Sequence, residues 1–272
     1  HSFATTGTGG YSTKQDSIAY YNSPYIEYVI GVFMFLSGIN FTLLLLLFTG
    51  KLKKVSQNAE LKWYVMSVIL FTAFIAAVLY RTTPMGAEES FRKAFFQVAS
   101  LHTSTGFVTA DYMQWVPVLW GTLTVIMLIG ACAGSTGGGI KVSRILILGK
   151  TLGKELKQAL HPQVVAPARM DGKLLNHETI RTTNVFIGAY IFIFITSFLL
   201  ISLNGFDMVT NFTAVAATMN NIGPGLELVG PMRNFGGFAD SAKLVLIFDM
   251  LAGRLEIFPM LVLFLPDTWR KF

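Results

Sequence analysis

The sequence predicts an all-α membrane protein, and three observations carry that expectation. Of its 272 residues 53% are hydrophobic and 13% charged, where a soluble domain carries about 25% charged residues. The mean hydropathy is +0.55. Apolar stretches near 20 residues recur along the chain, long enough at about 1.5 Å per residue to cross a hydrocarbon core of about 30 Å. Between them one layout is used twice: span, half-helix, polar glycine loop, span.

The elements follow in order. The chain opens on "HSFATTGTGGYST", without Met, leader or leading apolar helix, and reads as a fragment that begins inside a structural unit. The spans are expected at 26–48, 61–80, 116–134, 179–204 and 242–266. Between the second and third lies "SFRKAFFQVASLHTSTGFVTADYMQW", and between the fourth and fifth "DMVTNFTAVAATMNNIGPGLELVG". Each has about 13 residues of helical character and then a polar run with glycine, too short to cross and suited to a re-entrant segment. Residues 1–48 supply the end of a third copy, polar loop then span. Placing Gly10, Gly106 and Gly223 in register gives a period of about one hundred residues.

Lys and Arg set the orientation. Lys51, Lys53, Lys54 and Lys62, then Lys141, Arg144, Lys150, Lys154, Lys157, Arg169, Lys173 and Arg181, and finally Arg270 and Lys271, put 14 of the 21 basic residues on one side. The rule that positive loops stay inside makes that side cytoplasmic, so the half-helices and polar loops open outward. The net charge of +6 is thus a matter of topology, with no nucleic acid implied.

Several chemistries are excluded. One cysteine, Cys132, rules out an internal disulfide or a cysteine-built metal cluster, and its apolar glycine-rich setting marks a small buried residue. His102 has no acid or cysteine at ligand spacing, so a packing or hydrogen-bonding role is expected. Gly134 and Gly139 have the spacing of a phosphate-binding loop, but Ile140 stands where that motif needs Lys. No nucleophile–base or paired-carboxylate constellation falls at membrane depth, so no enzyme activity is expected.

The polar loops carry the functional signal. Irregular backbone at membrane depth is tolerated only inside protein or along a watery cavity. Glycine lets a backbone turn its carbonyls inward, Thr and Ser add hydroxyl oxygens, and each half-helix would aim its negative C-terminal end at the same place. Rings of carbonyls in such a field replace the hydration shell of a monovalent cation. In the third span, four glycines among residues 134–139 each cost about 1 kcal/mol in a helix relative to Ala, so the helix is expected to open there. Arg254, at mid-span, costs ~2.5–3.5 kcal/mol to insert. Its neighbours three and four positions away are Met250, Leu251, Ile257 and Phe258, while Asp249 and Glu256 lie on other helix faces. Its partner is therefore expected from the pore, the glycine run or another helix.

"TTGTGGYST", "HTSTGFVTADY", "ACAGSTGGGIKVSRILIL", "NNIGPGLE" and "LAGRLEIFPMLVLF" together resemble the Trk/Ktr/HKT superfamily, and within it the TrkH-type pore subunit of bacterial potassium uptake. The resemblance covers nearly the whole chain. It implies K⁺-channel-like M1–P–M2 repeats with re-entrant pore helices and filter loops around a central pore. Residues 1–50 would be the end of repeat 2, 51–177 repeat 3 with its broken M2 and cytoplasmic connector, and 178–272 repeat 4. The filter would be Thr8, Gly9, Gly10 and Tyr11, then Ser104, Thr105, Gly106 and Phe107, then Asn221, Ile222, Gly223 and Pro224. The last departs from the Thr/Ser-rich pattern, which makes the ring chemically unequal. Gly134, Ser135, Thr136, Gly137, Gly138 and Gly139 would form an intramembrane gate loop, with Arg254 a cation barrier beside it. The resemblance also implies inward movement of K⁺, with Na⁺ a lesser option, in a multi-pass protein of the inner membrane. It implies a homodimer of pore subunits and docking of the basic 150–178 connector on a cytosolic nucleotide-binding regulatory ring of TrkA type. No cofactor is expected on this chain and no transition metal, only K⁺ as cargo. The competing expectation is a proton- or sodium-coupled symporter, which uses broken helices too but usually places ionisable groups at the ion site.

Overall fold

The computed structural model describes residues 1–163, 167–254 and 257–269. Glu256, Arg270 and Lys271, which enter the charge reading above, lie outside the described residues. The fold is all-α apart from one small hairpin. The helices are α1 (Ser2–Thr6), α2 (Pro24–Ser37), α3 (Phe41–Phe48), α4 (Leu52–Gln57), α5 (Ala59–Thr82), α6 (Ala87–His102), α7 (Pro117–Leu128) and α8 (Val142–Leu160). After β1 (Arg169–Met170) and β2 (Lys173–Leu174) come α9 (His177–Ser202), α10 (Met208–Met219), α11 (Asp240–Arg254) and α12 (Ile257–Val262).

Local chemistry explains where the helices start. Pro24 and Pro117 occupy the first turns of α2 and α7, where a missing N–H costs nothing. Asn58, Asn176 and Asp207 cap α5, α9 and α10 through side-chain oxygens that accept backbone N–H groups. Glu88 and Glu89 sit in the first turn of α6, where the helix dipole favours them.

The long helices α5 and α9 are apolar enough to cross a membrane and match the spans expected at 61–80 and 179–204. The short helices α6 and α10 pack against them: α6 between α5 and α2, α10 between α9 and α11. One core gathers Tyr64, Val68 and Leu79 of α5 with Val98 and Leu101 of α6 and Leu119 and Leu123 of α7. A second gathers Tyr190 and Phe194 of α9 with Val215 and Met219 of α10 and Leu246 of α11. Ala59 N–H donates to Asp171 Oδ1 at 2.6 Å, so the two basic connections that the charge count assigns to one side meet at one end of the molecule.

Two expected spans are not continuous. The stretch 26–48 is broken at residues 38–40, and α3 leaves α2 at 104°. Asn40 enforces the turn: its side chain accepts Thr42 N–H to start a new helix, while Asn40 Nδ2 donates to Ala133 O at 2.7 Å. The third span stops at Leu128, before the glycine cluster, because Ile129 and Ile140 pair as a parallel bridge and Gly130 N–H donates to Ile140 O at 2.7 Å. The described parts of the fifth expected span are α11 and α12; residues 255–256 lie outside the described residues.

Candidate functional site

The short helices α1, α6 and α10 end in the same way. Thr8, Ser104 and Asn221 adopt left-handed backbone with φ of 49°, 59° and 55°. Two residues further on, Gly10, Gly106 and Gly223 do so again, at 62°, 80° and 101°. Between them the N–H groups of Gly9, Thr105 and Ile222 reach back to the carbonyls of Ala4, Ser100 and Ala217, each at 2.8 Å. That is the six-to-one bond of a Schellman cap, three times over.

Left-handed backbone costs a non-glycine residue about 1–2 kcal/mol, and two of these side chains have work to do there. Thr8 Oγ1 donates to Thr136 O at 2.8 Å, and Asn221 Nδ2 donates to Met250 O at 3.1 Å. Ser104 Oγ is buried and without a hydrogen-bond partner among the described residues.

The three loops lie side by side in the order 10, 106, 223. A Cβ on Gly10 would overlap the carbonyl of Thr105, and one on Gly106 the carbonyl of Ile222. Gly223 faces open space among the described residues. Burial follows from that order. Residues 101–109 of the middle loop are buried throughout, whereas Gly9 and Gly223 on the outer two are exposed. Phe107 is accordingly enclosed, while Tyr11 is 85% exposed. A cavity of about 570 Å³ opens over this arc, lined by Gly10, Gly106, Ile222, Gly223 and Pro224 and flanked by Lys14 and Arg233.

The glycine run of the third span forms a loop that touches the end of every short helix. Thr136 Oγ1 donates to Thr6 O of α1 at 3.0 Å. Gly137 packs against the carbonyl of Thr103, which follows α6, and Gly138 against that of Asn220, which follows α10. Lys141 Nζ donates to Gly137 O. The loop is seated in the break of the first span, where Cys132 N–H donates to Gly38 O and Phe41 N–H to Gly134 O, each at 3.1 Å.

Arg254 takes its partners from this loop and not from its own helix. Its Nη1 donates to Thr136 O at 2.6 Å and its Nη2 lies 3.4 Å from Gly7 O. One guanidinium thus bridges the glycine loop and the end of α1. A second cavity, of about 370 Å³, is lined by Ser135, Thr136, Gly137, Lys141, Arg144 and Arg254. The Arg144 guanidinium lies 3.8 Å from the centre of the Phe186 ring.

Asp249 is buried and accepts a hydrogen bond from Ser197 Oγ of α9 at 2.6 Å, so it does not pair with Arg254. His102 Nε2 sits 2.8 Å from Ser67 Oγ in the core, and Cys132 is buried. Among the described residues no three His, Cys, Asp or Glu side chains cluster as a metal site. What the arrangement gathers at three helix C-termini is oxygen: backbone carbonyls of three loops, with hydroxyls on the first two.

Two residues at this site were not singled out by sequence reasoning. Asn40 anchors the loop at Ala133 O. Glu60 Oε1 accepts the N–H groups of Ala133 at 2.7 Å and Ser143 at 3.0 Å. An acid one position before an apolar span, in a loop otherwise basic, is the signal that could have found Glu60.

Comparison with known proteins bears on the whole chain. Residues 1–271 match the family model TrkH, described as a cation transport protein. The chain is 39% identical over 273 residues to the Trk system potassium uptake protein TrkH of Escherichia coli K12, covering 100% of this chain and 56% of that one. It is 34% identical over 277 residues to the Trk system potassium uptake protein TrkG of the same strain, with the same coverage. The crystal structure of the potassium transporter TrkH from Vibrio parahaemolyticus superimposes with a TM-score of 0.91 at 36% identity, over 99% of this chain and 58% of the other. The chain thus spans about half the length of the curated relatives it matches.

Proposed function

The chain belongs to the TrkH family of cation transport proteins, and from that premise we propose that it forms most of the wall of a potassium pore. The ion would pass from the 570 Å³ cavity between filter loops Thr8–Tyr11, Ser104–Phe107 and Asn221–Pro224, towards the cytoplasmic end. Residues 1–50, 51–177 and 178–272 are the end of one pore repeat and two complete ones. A further repeat closes the ring beside Gly223.

The observation that carries this reading is the shared backbone of the three loops. The same pair of left-handed positions and the same backward hydrogen bond end α1, α6 and α10, and each of the first two glycines lies against its neighbour's carbonyl. Backbone-on-backbone contact of this kind leaves carbonyl oxygens as the surface an ion meets. K⁺ is the preferred cargo, with Na⁺ next.

The 134–139 loop and Arg254 act as the gate. The loop contacts the end of each pore helix, and the guanidinium holds it there while placing positive charge in a cation's path. Asp249 turns to Ser197 in the outer helix layer, which favours a gated passive pathway over proton coupling. The protein resides in the inner membrane as a homodimer, and its basic connector 150–178 docks a cytosolic nucleotide-binding ring.

The test is flux of Rb⁺ into vesicles carrying the full-length protein, with K⁺ and Na⁺ as competitors. K⁺ is expected to compete more strongly than Na⁺, at zero pH gradient. Uptake that requires an imposed proton gradient at zero membrane potential would replace the channel with a symporter.

A further inference from the structure

We propose that Glu60 is a positioning residue for the 134–139 loop: its carboxylate closes the base of that loop and thereby sets how readily the loop leaves the ion's path. The proposal rests on the gate reading above. Glu60 stands in the first turn of α5 and is 6% exposed. A single atom, Oε1, accepts both Ala133 N–H and Ser143 N–H. One donor lies on the stem entering the loop and the other on the stem leaving it.

Each stem has a need that this oxygen meets. Ser143 is the second residue of α8, whose cap position is held by Lys141 with no side-chain cap bond. An uncapped helix start leaves N–H groups unpaired and favours a negative charge nearby. Here the charge comes from a different helix. Ala133 gives its carbonyl to Asn40 Nδ2 and its N–H to Glu60, so that residue is gripped from both sides. Bonds to an ionised acceptor are roughly twice as strong as neutral ones, and both of these bonds are half-buried, where water competes less.

The clamp is itself anchored. Asn58 Oδ1 accepts Leu61 N–H at 2.8 Å, and Asp171 Oδ1 accepts Ala59 N–H at 2.6 Å. Asp171 belongs to the cytoplasmic connector. A displacement of that connector therefore reaches the base of the loop through two hydrogen bonds on adjacent residues, Ala59 and Glu60.

The experiment uses full-length protein in vesicles and measures resting Rb⁺ flux per inserted molecule. Glu60→Ala removes both backbone bonds and should raise it about tenfold or more. Glu60→Gln keeps an oxygen of the same reach for both N–H groups but not the charge, and should stay close to the tight state, well below Glu60→Ala. Glu60→Asp, shorter by one methylene, should fall between them. A variant lacking Gly137–Gly139 is run in parallel, and in that background Glu60→Ala should add nothing. If the shortened loop leaks but Glu60→Ala stays tight, the clamp is wrong and the gate survives. If the shortened loop does not leak, the gate falls and the clamp with it. Should Glu60→Ala fail to reach the membrane, the order of the other two decides: Gln leakier than Asp overturns the proposal.

Discussion

The loops at 8–10, 104–106 and 221–223 and the run at 134–139 all contain glycine and are irregular, yet they are fastened differently. The three short loops are fixed by backbone against backbone: a Schellman bond behind each and, for Gly10 and Gly106, a neighbour's carbonyl in front. The longer loop shares backbone bonds with the break at 38–41 and lies against the Thr103 and Asn220 carbonyls, but it is held in addition by side chains that reach in from elsewhere: Asn40, Glu60, Thr8 and Arg254. Backbone packing has no rotamer to change, whereas a long side chain can let go at modest cost. On the proposed reading, irregular backbone would serve two ends here, a rigid one and a releasable one, and the mode of attachment would tell them apart where composition does not.

The sharpest way to break that contrast is to put a methyl group where there is no room. Gly106→Ala should lower Rb⁺ flux of the full-length protein by about a hundredfold or more, the scale of a 1 Å misplacement of the groups that handle a ligand, with insertion unchanged. Gly223→Ala should be as damaging in full-length protein, because the proposed further repeat stands beside it. A much milder loss there would sink the closed ring.

Next in size is the releasable attachment. Arg254→Ala, or shortening of 134–139, should raise resting flux about tenfold, as expected when a bond to a charged donor is lost. Unchanged or lower flux from inserted variants counts against the gate. Smaller again is Asn40→Asp, which keeps an acceptor for Thr42 N–H but loses the donor to Ala133 O. A rise of about fivefold is expected, from one neutral hydrogen bond of about 1 kcal/mol, and Asn40→Ala should exceed it by also uncapping α3. The smallest effect is at Tyr190, whose hydroxyl pairs with Asn220 at 2.9 Å. Tyr190→Phe should cost about 1 kcal/mol of stability, read as a lower melting temperature, while flux stays within about twofold.

Much of this organisation was legible beforehand because hydropathy and length decide which helices cross a membrane and which cannot. The two long spans, the two half-helices and the glycine loops behind them follow from that alone. Gly10, Gly106 and Gly223, residues 134–139 and Arg254 were all singled out, and the structure brings them to one place. The break at 38–40 was hidden because "SGIN" sits inside a continuous apolar run, and a hydropathy window records transfer cost without direction. Only Asn40's two hydrogen bonds reveal the turn. Glu60 was hidden for a different reason: its partners are 73 and 83 residues away, and no local spacing encodes that meeting.

The turn at Asn40 has a consequence outside the chain. It sets α3, "FTLLLLLF", athwart the helix it follows, and none of its eight residues is buried. Such an apolar rod is kept out of water by acyl tails, a gain of ~25 cal/mol for each Å² of apolar surface withdrawn from water. The corner amide that keeps the rod in place also grips Ala133. If the glycine run is the proposed gate, bilayer thickness and annular composition bear on its equilibrium, and micelles and membranes should hold it at different set points.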